Sequence, residues 1–182
     1  MKHWIFTGIL IVLFSMSCNK IHFVSDPLLQ RDSLRQHEDF MRYYLFLHCG
    51  GGYSERIDMK PSAVIVDGGK LDIQGAYLRI RLPRIPTGPE TFSLHNPYEG
   101  GQLQEDKAYM QLAGEPYFYP PCLSDTDTLY SCDGCGRVKI IRVMRGDSLT
   151  RITGLFEGKV QNDSARANIE GGIFKIEIPN GG

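Results

Sequence analysis

The chain has 182 residues, 20 Lys and Arg against 21 Asp and Glu for a net charge of −1, and five cysteines. That length suits one domain with a sizeable core. Charges are mixed along it, with no basic tract for nucleic acid and no long acidic tail, and no GxSxG, HExxH, phosphate-binding loop or dinucleotide fingerprint occurs.

Residues 1–17 have the layout of a secretory signal peptide: Lys2, an apolar run from Ile5 to Phe14, then Ser15-Met16-Ser17 before Cys18. The apolar run spans ten residues, whereas a membrane-crossing helix needs about 20, so a permanent span is not expected. Cys18 resembles the lipidation cysteine of a bacterial lipoprotein, with Ser15 standing where Leu is usual. Degenerate boxes ending in Ser-Cys are common in lipoproteins of the Bacteroidetes group. The resemblance implies cleavage before Cys18 and acyl chains on it that anchor the protein to a membrane. Ordinary cleavage, leaving Cys18 as a free thiol, is the alternative. Asn19 follows the cysteine, and Asn19 to Ser25 hold no acidic run. By the same resemblance the expected location is the outer membrane, facing the periplasm rather than the cell surface.

Residues 18–42 read as a polar tether. Asp26 is a candidate N-cap and Pro27 suits a first helical position, so a short helix is expected there. A β domain is expected over 43–180. AYLRIRL (76–82) alternates Ala76, Leu78, Ile80 and Leu82 with Tyr77, Arg79 and Arg81, and GIFKIEI (172–178) alternates in the same way. ITGLFEGKV places Ile152, Phe156 and Val160 on one face, with Gly154 and Gly158 between. Such alternation marks strands with one buried and one wet face. YYLFLH, AVIVD, KLDIQ, TFSLH, AYMQLA and RVKIIRVM read as further strands. Asp67-Gly68, Gly146-Asp147, Asn162-Asp163 and Gly171-Gly172 read as turns. The expected fold is all-β: a single antiparallel sandwich or barrel of about 8–10 strands.

The C-terminal half reads GRVKIIRV, SLTRITGLFEGKV and ANIEGGIFKIEI. It resembles the small β domain of unknown function found in many Bacteroidetes lipoproteins. That domain has a Gly-initiated strand, an Ile-x-Gly-x-Phe strand and a final Gly-x-Phe-x-Ile strand. Those positions fall here on Gly136, on Ile152, Gly154 and Phe156, and on Gly172, Phe174 and Ile176. LDIQGAYLRIRLP followed by TFSLH also fits, so the resemblance covers residues 63 to 178. The chain departs from the pattern in its cysteines, in the segment from 95 to 135, and in lacking an aromatic-rich opening strand with Trp. The resemblance implies an extracytoplasmic β domain and supplies no catalytic residues.

With Cys18 lipidated, Cys49, Cys122, Cys132 and Cys135 remain, an even number in an exported chain and so disulfide candidates. A redox-active CxxC usually opens a helix, but Gly136 and a β-branched run follow here. Cys132 and Cys135 would also suit half a zinc site, with Cys122 and Cys49 or His48 completing it. Two structural disulfides are favoured over zinc, as Cys132–Cys135 with Cys49–Cys122, the first stapling the mouth of a strand. No metal or cofactor is expected.

Arg145-Gly146-Asp147-Ser148 spells a tripeptide that integrins bind, but Gly-Asp between two strand-like runs reads first as a hairpin turn. Asp125, Asp127 and Asp133 lack the spacing of a calcium loop. Tyr117-Phe118-Tyr119-Pro120-Pro121 is the candidate ligand surface. Prolines keep it out of a central strand, and three rings there would stack on a glycan or an extended peptide, unless they fold onto the core instead. The functional expectation is a non-enzymatic envelope lipoprotein whose β domain binds or scaffolds. The alternative is an envelope hydrolase working through paired carboxylates, which need no local motif.

Overall fold

The computed structural model describes residues 39–48, 52–75, 77–99, 101–113 and 128–180. Cys18, Cys49, Cys122, Tyr117, Phe118, Tyr119 and nearly all of the expected tether lie outside them. The described chain is all-β, and its strands pair antiparallel. Its strands are β1 (Phe40–His48), β2 (Tyr53–Met59), β3 (Ala63–Asp67), β4 (Lys70–Gln74), β5 (Leu78–Leu82), β6 (Glu90–Ser93), β7 (Tyr98–Glu99), β8 (Gln102–Leu103), β9 (Tyr109–Ala113), β10 (Thr128–Arg145), β11 (Leu149–Gln161) and β12 (Arg166–Pro179). β1 begins ahead of the expected start at 43, because Phe40 and Met41 pair with Lys175 and Phe174 of β12 and are buried there.

One ten-stranded sheet runs in the order β2-β1-β12-β11-β10-β9-β5-β4-β3, with β6 also on β10, while β7 and β8 form a separate small hairpin. The sheet curls into a half-barrel. β2 and β3 are consecutive in the chain yet stand at opposite ends of the strand order, so the two edges must approach where residues 60–62 join them. Gly75, just past β4, accordingly sits against the side chains of Met59 on β2 and Met41 on β1.

The concave face is the core. Directly paired residues share a face of a sheet, so Val138, Phe156 and Gly172 form one inward row across β10, β11 and β12. Ile140, Gly154, Phe174 and Met41 form the next. Rings and glycines alternate: the ring of Phe156 lies over Gly172 and that of Phe174 over Gly154, the large-against-small interdigitation that fills a core without voids. Leu71, Ile73, Leu78, Ile80, Leu82, Met110 and Leu112 close the other flank. Outward residues pair across strands by charge: Arg137 with Glu157 at 2.8 Å, Arg151 with Glu177 at 2.5 Å, Arg42 with Asp58 at 2.8 Å.

Three further features follow from register. β2, whose YSERIDM carries little alternation, is a strand because β1 pairs with it from Met41 to Leu47. Gly171-Gly172 is not a turn but part of β12, where the pairing with β1 slips between Arg42 and Tyr44. Gly146, Asp147 and Ser148 do turn, joining β10 to β11 as expected.

Candidate functional site

β10 is the longest strand, and its two edges are treated differently. One edge pairs with β11 from Tyr130 to Arg145, with an interruption between Ser131 and Gly136. The other pairs with β9 from Thr128 to Tyr130 and with β6 from Arg137 to Ile140. Cys132-Asp133-Gly134-Cys135 fills the change of partner. Ser131 opposes Val160 and Gly136 opposes Gly158, leaving these four residues facing Lys159 alone. They bulge out, and a Cys132–Cys135 disulfide closes the bulge across a Cα–Cα distance of 5.2 Å. The staple thus stands inside a strand rather than at its mouth, because β9 and β6 both dock on β10 and leave the stretch between them outside either ladder. Sulfurs bonded to each other are not thiolate ligands for zinc.

Local hydrogen bonds tie the bulge to its neighbours. Gly134 adopts a left-handed φ of 68°, a conformation glycine enters without strain. Its N–H donates to Leu94 O at 2.9 Å, and Leu94 N–H donates to Gly136 O at 2.9 Å. Ser131 is buried; its hydroxyl donates to His95 O at 2.6 Å and accepts Met110 N–H at 3.0 Å. One hydroxyl therefore ties β9 and the segment after β6 to β10. On the surface, Asp133 Oδ1 meets His95 Nδ1 at 3.0 Å and accepts Asn96 N–H at 3.3 Å. The His95 ring, and then that backbone N–H, hold the Asp133 carboxyl below the usual range.

Beside the bulge lies an aromatic surface. Tyr98 of the β7–β8 hairpin is 44% exposed and meets Tyr130 edge-on, with ring centroids 5.1 Å apart. Burial, then a hydrogen bond with Tyr98 that favours the protonated phenol, pushes the Tyr130 hydroxyl up to about 12. Tyr130 opposes Gln111, which opposes Arg79, so a phenol, an amide and a guanidinium share one outward row across β10, β9 and β5. Such neighbours are spaced about 4.8 Å apart. Arg79 is held by both oxygens of the buried Asp72, and that hydrogen bond raises its pKa. Chemically this surface stacks and hydrogen-bonds. Asp72, Glu90, Glu105, Glu157 and Glu177 are each held against an Arg or Lys cation. That arrangement suits structure rather than proton transfer between two acids.

Of the residues singled out in the sequence, the fold brings together Cys132 and Cys135. The segment 114–127, which carries Tyr117, Phe118 and Tyr119, leaves β9 at Ala113 and re-enters at Thr128. Those two residues pair with each other, two positions from Tyr130. Ser131, His95, Tyr98 and Tyr130 carry no local signature; only pairing between strands distant in sequence assembles them. No family model matches this chain, and searches of curated proteins and of solved structures return no match.

Proposed function

We propose that this protein is a lipid-anchored domain of the cell envelope that binds a glycan or an extended peptide on an aromatic surface. The Cys132–Cys135 disulfide is the observation that carries the reading. Structural disulfides persist in oxidising compartments, which supports export under the signal at residues 1–17. In this reading Cys18 carries the acyl chains, the domain stands on the outer membrane facing the periplasm, and Cys49 bonds to Cys122. The small β domain of Bacteroidetes lipoproteins is the proposed kinship. Tyr98, which is exposed, and the half-buried Tyr130, two positions from the end of segment 114–127 at Thr128, extend the proposed site at Tyr117, Phe118 and Tyr119. A stacked ring offers a large apolar face and its hydroxyl a hydrogen bond, the combination suited to sugars and peptides.

Two measurements test this. Cys18→Ala should release a correctly cleaved protein from membranes, and its retention there would overturn the anchor. Tyr98→Ala should leave the melting temperature near that of the parent, because the ring is 44% exposed, while abolishing retention on envelope glycans or peptides. Unchanged retention by the folded variant would remove Tyr98 from the site.

A further inference from the structure

Farther along β10 from the bulge, the β10–β11 hairpin, the end of β12 and the segment after β5 enclose a cleft of about 390 Å³. This is near the small end of ligand sites. Its apolar side is formed by Ile85, Pro86, Ile178 and Pro179, and its polar rim by Arg145, Thr150 and Asn180. Most of the polar groups on the rim are already engaged with one another. Thr150 Oγ1 donates to Asn180 Oδ1 at 2.6 Å, Asn180 Nδ2 donates to Gly146 O at 2.6 Å, and Gly146 N–H donates to Leu149 O at 2.8 Å. Asn180 N–H also donates to Ser148 O at 2.9 Å. The side chain of Asn180 thereby latches the hairpin to the end of β12 and fixes the wall.

Arg145 is different. It is exposed, and its side chain has no hydrogen-bond or ion-pair partner among the described residues. A guanidinium presents a planar fork of donors that matches a carboxylate with two parallel bonds. Apolar walls with one unengaged guanidinium at the rim call for a ligand with an apolar body and an anionic end. The volume limits the body to about one large apolar residue or a short acyl chain. We propose that this cleft binds small apolar carboxylates, with Arg145 holding the carboxylate and Ile85, Pro86 and Ile178 holding the body. A short fatty acid and the C-terminal residue of an apolar peptide share that chemistry. The proposal is independent of the aromatic surface.

The test is a titration of the protein, as its producing cell processes it, with octanoate and with N-acetylleucine, followed by backbone amide shifts. Octanol and N-acetylleucinamide are the uncharged controls. Shifts should cluster at Gly146, Thr150 and Ile178. Arg145→Gln, first checked for an unchanged melting temperature, should weaken carboxylate binding about tenfold, as loss of a charged hydrogen bond does. Octanol should be unaffected by that change. Arg142→Gln, an exposed cation on the same strand, should change nothing. Saturation by octanoate alone supports the acyl source, by N-acetylleucine alone the peptide source, and by both the shared chemistry. Absence of response to either, shifts elsewhere, or equal affinity in Arg145→Gln would overturn the proposal.

Discussion

Gly154 in the middle of β11 and Gly136 at the edge of the β10 bulge are both places where a side chain is missing, and different things fill the space. At Gly154 it is the ring of Phe174, whose atoms lie where a Cβ would stand. At Gly136 it is main chain: the carbonyl oxygen of Glu157, and the Cα of Gly158 at 2.5 Å from the Cβ position. The first site is a packing arrangement and the second a crossing of backbones. A packing arrangement yields to a second change in side chains, because trimming the ring restores the space. A backbone crossing has no such remedy, so the bulge and the surface it supports rest on the stiffer constraint.

The largest expected effect is therefore at the crossing. Gly136→Ala should lower stability by about 3 kcal/mol, the upper range for overpacking, when unfolding is followed in urea. It should also disturb the amide resonances of Leu94 and Gly134, which hydrogen-bond across the bulge. A variant with parental stability would mean that β10 and β11 separate easily there, and the contrast with Gly154 would fail.

Gly154→Ala should be milder, at about 2 kcal/mol, and here the comparison sharpens. Combined with Phe174→Leu, it should be less damaging than the two single changes added together, with a coupling of about 1 kcal/mol. Strict additivity would show that the ring does not own the space above Gly154.

The same division explains what could be read without coordinates. The alternating runs at 78–82 and 172–178 are strands because period two is a local pattern that burial enforces directly. Ile-x-Gly-x-Phe was legible as strand, though not that Gly154 serves a ring on β12. The pair Cys132–Cys135 was legible as a local staple from an even cysteine count in a chain read as exported, with half a zinc site as the rival for the same spacing. Its place inside a strand was not, because the bulge exists only where β9 and β6 divide one edge of β10, and those strands are distant in sequence. Tyr98 and Tyr130 were missed for that reason. Gly171-Gly172 was misread because a bulge and a turn ask for the same residue type.

A smaller effect of opposite sign is expected in the core. Tyr43 is fully buried against Phe156, with ring centroids 5.9 Å apart, and its hydroxyl has no hydrogen-bond partner among the described residues. A buried unpaired hydroxyl is destabilising, so Tyr43→Phe should raise stability by about 1 kcal/mol. A loss instead would reveal a partner for that hydroxyl and make the core as polar in its demands as the bulge.

The smallest effect concerns the outer clasp of the bulge, where Asp133 meets His95. Asp133 titrates below the usual range because the His95 ring, then the Asn96 N–H, favours its charged form. A group depressed in the folded state stabilises above its unfolded pKa, about 3.9 for Asp. That stabilisation fades as pH falls through the lower folded value. Asp133→Asn should thus melt slightly below the parent at pH 5 to 7, and the gap should close toward pH 2. The gap should be small, because the carboxylate is exposed and solvent screens it. A gap of equal size at every pH would instead mean that Asp133 holds the bulge through its shape and hydrogen bonds alone. The clasp would then resemble the backbone crossing at Gly136 rather than an exposed charge pair.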